Sequence, residues 1–169
     1  MVGMDQHSRT WTLWRLRSLG TMELLNIPLQ AAIWFGFLPL PASRANLTGF
    51  VAVSILLVQG AGYWFAKRRQ LVSGSPTLPG AVGFGLLRSV NPVLLLAVLG
   101  ITGYRTVTTP GITSIPGLCF ALFAVLEYIN YFHVQLMHDT RADWKRLART
   151  GLRRSHLARD LDRSLRRIA

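Results

Sequence analysis

Acidic residues are scarce in this chain: 7 Asp and Glu stand against 19 Lys and Arg in 169 residues, a formal charge of +12. Cysteine is scarcer still. The single Cys119 excludes an intrachain disulfide, and the absence of any CxxC or Cys/His cluster leaves no pattern for a metal cage. Set among apolar neighbours, Cys119 reads as a buried, inert thiol. Serine-nucleophile, P-loop and paired-carboxylate signatures are also missing, so no catalytic residue is assigned and no cofactor or metal is expected. His133 and His138 are five apart, about 140° round a helix, and cannot meet one metal from a single face. The other two histidines, His7 and His156, lie outside the apolar runs, which removes an axial pair for haem.

What is present is apolar length. Half of the residues are hydrophobic, and charge is swept to the N-terminus, one middle loop and the C-terminus. A bilayer core of roughly 30 Å demands apolar runs of about 20 residues from a helix. Four such runs occupy about 22–40, 47–66, 80–104 and 115–138. The expected fold is all-α: a polytopic membrane protein with a four-transmembrane-helix bundle over 21–138 and a basic amphipathic helix in the tail, 139–169. Residues 1–20, with Trp11 and Trp14 beside Arg9, Arg15 and Arg17, form an interfacial segment. Glu23, Asn26 and Gln30 interrupt the first run in a way signal sequences rarely tolerate, so it reads as a retained helix. Small residues four apart (Ala32/Gly36, Gly85/Ser89, Gly117/Ala121) offer faces for close backbone approach and self-association.

The basic residues set an orientation. Lys and Arg number 3 in the N-terminal segment, 3 at 67–79 and 10 in the tail, against one in each intervening loop, Arg44 and Arg105. Cytoplasmic loops carry the excess of Lys and Arg, so both termini are placed in the cytoplasm, as in a bacterial inner (plasma) membrane.

Polar residues inside the runs mark the candidate site. Glu127, Asn130, Tyr131 and His138 share one face of the fourth run, because residues three, four, seven and eleven apart stack on a helix. Arg88 in the third run lies at a similar depth. A lone charge in lipid costs several kcal/mol, so an Arg88–Glu127 pair is predicted, with Asn91, Asn130 or a tyrosine completing its hydrogen bonds. Pro92, four residues after Arg88, removes the N–H that would bond the Arg88 carbonyl and predicts a kink. Glu23, Asn26, Gln30 and His138 are the further lining residues, whereas Gln59 stands almost alone on the second run.

In the tail, the run TRAD at 140–143 is a capping-box pattern, and Ser155 is an N-cap for a second helix. There Leu157, Leu161 and Leu165 recur at helical spacing, with Arg153, Arg154, Arg159, Arg163, Arg166 and Arg167 around them. The surface suits anionic membrane lipids, or a partner protein or second copy, which Asp160 and Asp162 favour. Nucleic acid is disfavoured, since no aromatics interleave with the arginines. The leading functional expectation is a small integral membrane scaffold or accessory subunit, a homo-oligomer or part of a larger membrane complex. A transporter or channel at Arg88 and Glu127 is the alternative, and a membrane enzyme acting on lipid comes third.

Overall fold

The computed structural model describes residues 6–135 and 153–168, and over them the protein is all-helical, with a single isolated backbone bridge and no strand. Helix α1 spans Gln6–Ala31 and runs on through wider π-helical turns at Ala32–Phe37. Helix α2 is Arg44–Ser73, α3 is Ala81–Thr108, α4 is Ile115–Phe132 and α5 is His156–Ile168. Three helices, α2, α3 and α4, are long and apolar enough to cross a membrane. The capping pattern at 140–143 and His138 lie outside the described residues.

Boundaries differ from the sequence expectation in physically readable ways. The N-terminal segment is not separate: α1 carries Trp11 and Trp14 on one continuous helix into the first apolar run. The second run extends past its Lys67-Arg68-Arg69 cluster to Ser73, where Gly74 adopts φ 65° and closes the helix as a left-handed cap. The fourth run stops at Phe132, six residues short of the expected 138, and the backbone N–H groups of His133 and Val134 both return to the Ile129 carbonyl.

α2 is the central element. It touches α1, α3 and α4, and α2 against α4 is the most extensive contact. Cross-helix neighbours give the directions. Gly20 meets Phe65 and Phe35 meets Phe50, so α1 runs antiparallel to α2. Gln59 meets Asn91 and Tyr63 meets Phe84, so α3 does too. Gly49 meets Gly117 while Gly60 meets Tyr131, so α4 runs parallel to α2.

The α2–α4 contact works because its residues are small. A Cβ on Gly49 would lie 2.1 Å from the Gly117 carbonyl oxygen, and one on Gly117 would lie 2.4 Å from the Ala45 carbonyl oxygen. Ala45, Ala52, Ala121 and Ala124 are buried along the same seam. Backbones that approach this closely gain dispersion contacts that larger side chains would prevent. Of the three small-residue pairs, Gly117/Ala121 is thus used within the chain. Ala32 and Gly36 are exposed, and Gly85 faces Leu165 of α5.

Asn46 seals this end. Fully buried, it donates from Nδ2 to the carbonyls of Pro41 (2.9 Å) and Ile112 (3.0 Å) and accepts from the Gly117 N–H (2.8 Å). One side chain thereby joins both loops and satisfies a first-turn N–H of α4 that has no partner in its own helix.

Replacing Gly49 with Leu should lower the melting temperature in detergent, by an amount equivalent to about 1–3 kcal/mol. Gly100→Leu, where nothing lies within 4 Å of the new Cβ, should stay within about 0.5 kcal/mol of the parent. Equal melting temperatures for both variants would rule out the close α2–α4 approach.

Candidate functional site

Polar residues form three constellations, and those expected to share one are divided between the first two and a separate Asn91–Gln59 pair. In the first, Tyr128 rather than Glu127 faces α3. Its hydroxyl donates to the backbone carbonyl of Arg88 at 2.9 Å. That carbonyl lacks its helical partner because Pro92 has no N–H to give it. Nε2 of His133 lies 3.0 Å from the same hydroxyl. α3 continues as a helix through Pro92, with Tyr128 supplying the missing bond.

The Arg88 side chain does not reach Glu127. Its guanidinium lies 3.6 Å from Asp162 of α5, and Arg154 lies 2.8 Å from the other oxygen of the same carboxylate. The predicted pair had the depth right and the face wrong. One residue on a helix is 100°, so if Tyr128 points at α3, Glu127 points away from it, toward α1. Asn91 is not part of that cluster either. Asn91, itself buried, exchanges two hydrogen bonds with Gln59, at 2.7 and 3.2 Å, and forms an amide pair between α2 and α3.

The second constellation lies between α1 and α4. The Tyr131 hydroxyl donates to Glu23 at 2.7 Å, and Asn130 approaches the Glu127 carboxylate at 3.5 Å. Gly60 makes room for the Tyr131 ring: a Cβ there would lie 2.5 Å from Cζ. Further along α1, Trp34 donates to Gln30 at 2.6 Å, and Gln30 contacts Asn26 at 3.5 Å. Among the described residues, no cation lies within ion-pair distance of Glu23 or Glu127.

Glu23 and Tyr131 line a cavity of about 350 Å³ at the end of the bundle where α2 finishes. Trp11, Arg15, Leu16 and Leu19 of α1 form one wall, and Trp64 and Lys67 of α2 another. Ser155 and His156 at the start of α5 border it as well.

The third constellation holds α5 against the bundle. Leu157, Ala158 and Leu161 are buried, while Leu165 is half-exposed against Gly85. Asp160 accepts from the Tyr63 hydroxyl and pairs with Lys67, both at 2.9 Å. The Ser164 hydroxyl accepts from the Leu78 N–H at 2.9 Å. Ser155 donates to the Tyr131 carbonyl and accepts from the Ala158 N–H at 3.1 Å, so it caps α5 and ties it to α4 together. The backbone N–H of Gln135 donates to the Arg153 carbonyl (2.9 Å) and that of Ser155 to the His133 carbonyl (3.0 Å), which holds the start of α5 beside the end of α4. Asp160 and Asp162, read from the sequence as a sign of a partner, bind this chain's own Lys67, Arg88 and Arg154.

The arginines fall on the opposite side. Arg154, Arg159, Arg163 and Arg166 converge with Asp162 on a shallow depression of about 230 Å³, and Arg153, Arg163, Arg166 and Arg167 are exposed. Cys119, expected to be buried, is exposed on α4, because the seam toward α2 runs through Gly117, Ala121 and Ala124 instead.

Within the described residues the fold and these sites define a helical protein with three candidate membrane-spanning helices. Compared with protein-family models, characterised proteins and solved structures, the chain matches none.

If Asp160 holds α5, Asp160→Asn should expose the arginine-rich tail to trypsin and weaken docking by roughly 1–2 kcal/mol. A double-mutant cycle should give measurable coupling for Lys67 with Asp160 and none for Arg88 with Glu127. The opposite pattern would restore the sequence-based pairing.

His156 supplies a pH dependence. Partial burial, then the nearby Arg159, Lys67 and Arg15, push its pKa below the ordinary 6.5, against the opposing pull of Asp160. The undocked helix therefore binds the proton more readily than the docked one. Docking should be strongest above about pH 6.5 and weaken as pH falls through that value. Tail proteolysis across pH 5–8 reads it, and His156→Gln should flatten the profile.

Proposed function

We propose that this protein is an integral membrane scaffold or accessory subunit that presents a fixed arginine face to an acidic cytoplasmic partner. The reading includes four spans, with α1 as the fourth, and both termini in the cytoplasm of a bacterial inner membrane. In support of α1 as a span, its polar residues are matched internally: Glu23 by Tyr131, and Asn26 and Trp34 by Gln30. Such matching lets a helix of lower hydropathy lie in a bilayer, where unsatisfied polar groups are the main cost. The excess of Lys and Arg at the α5 end supports the orientation.

The observation that carries the reading is the direction of α5. Leu157, Ala158 and Leu161 are buried against the bundle, and Arg159, Arg163 and Arg166 lie on the far side at helical spacing. An amphipathic helix on a leaflet would turn its apolar side to lipid instead. Here the arginines point away from the bundle, where carboxylates of an acidic protein segment can meet them bidentately. The transport alternative loses the charge pair on which it rested, since Arg88 is engaged by Asp162.

The test compares the parent with a triple variant carrying Arg159→Gln, Arg163→Gln and Arg166→Gln, both in nanodiscs. A fluorescent poly-glutamate peptide should bind the parent with an affinity that falls steeply with salt, and the triple variant should lose at least about tenfold, the equivalent of 1.4 kcal/mol. Retention of anionic phospholipid during purification should stay unchanged. Lost lipid retention with unaltered peptide binding would overturn the reading in favour of a lipid-facing helix.

A further inference from the structure

The cavity between α1, α2, α4 and α5 has a composition that scaffolding does not require. Its floor holds the Glu23 carboxylate, which accepts from Tyr131 but has no cation within ion-pair distance among the described residues. Two indoles, Trp11 and Trp64, line it together with Leu16 and Leu19. Its size, about 350 Å³, lies in the range of small-molecule sites.

The charges at its mouth are already engaged. Lys67 is paired with Asp160 at 2.9 Å and bonded to Gln70 at 3.1 Å. Arg15 rests over the Trp11 ring with its guanidinium carbon 5.3 Å from the centroid. That contact shows one wall of the cavity already accommodating a positive charge on its π face, where the ring quadrupole attracts cations. An anion entering the cavity would have to displace Asp160 from Lys67 and would meet Glu23 at the floor. A cation would find a carboxylate, a second indole and an apolar lining.

We propose that this cavity binds an organic cation: a small amine or quaternary ammonium with an aromatic or apolar body, its charge against Glu23 and Trp64. Glu23 supplies the charge, Tyr131 fixes the carboxylate, and the two indoles and two leucines cover the body. Selectivity against neutral molecules of the same shape follows, because a cation offsets the charge of a carboxylate held in an apolar surround and a neutral body does not.

The experiment measures binding of benzyltrimethylammonium, and of its neutral carbon isostere, to the full-length protein in nanodiscs by quenching of tryptophan fluorescence. The cation should bind saturably and at least about tenfold more tightly than the isostere. Glu23→Gln should remove that preference. Trp64→Leu should weaken the cation by roughly 3- to 30-fold, the range expected of a partly to fully desolvated cation–π contact, and keeps the test decisive if the Glu23 variant fails to fold. Equal binding of cation and isostere would overturn the proposal. So would an unchanged preference in Glu23→Gln, no saturable binding up to millimolar cation, or preferential binding of dodecyl phosphate.

Discussion

The close approach of α2 and α4 is the constraint on which the remaining arrangement rests. With Gly49 against Gly117 and alanines along the same seam, the two backbones sit too close for any larger side chain. Hydrophobic burial does not drive helices together in lipid, because lipid tails are as apolar as leucine. Dense backbone contact and matched polar groups do. The seam places Gly60 opposite Tyr131, which lets that ring cross toward α1 and reach Glu23. It also orients α4 so that Tyr128 meets α3 and Glu127 does not.

Around that seam, several buried polar groups are answered by near neighbours. The freed Arg88 carbonyl takes the Tyr128 hydroxyl, Asn91 takes Gln59, and Asn46 takes three backbone groups from two loops and a helix start. These contacts turn an apolar bundle with many equivalent packings into one with a single register, since any slip would leave several of them unmatched. Glu23 and Glu127 stand apart from this pattern. They receive hydrogen bonds but no opposing charge among the described residues, and one of them opens onto a cavity.

α5 follows from the same logic applied at the bundle's end. Its apolar side completes the core, its two aspartates meet cations on α2, α3 and the segment just before α5, and Ser155 links its cap to the last turn of α4. What remains outward is arginine. The apolar side of α5, which composition alone would assign to a lipid surface, packs against the bundle instead.

The sequence by itself determined the helical class and the apolar runs, because length and hydropathy are local properties read by counting. It also marked Ser155 as a cap and Pro92 as the point where a carbonyl is released, since both effects act within one turn of helix. Only the tertiary structure decided which helix face meets which. The Arg88–Glu127 pairing failed on a rotation of 100°, one residue, which no depth argument resolves. Gln59 looked isolated until α3 brought Asn91 beside it. The destinations of Asp160 and Asp162 depended on α5 folding back, a contact between residues about 70 to 100 positions apart. Pairing across helices is a property of packing geometry, and the side chains that decide packing here, Gly49 and Gly117, carry no chemical signal of their own.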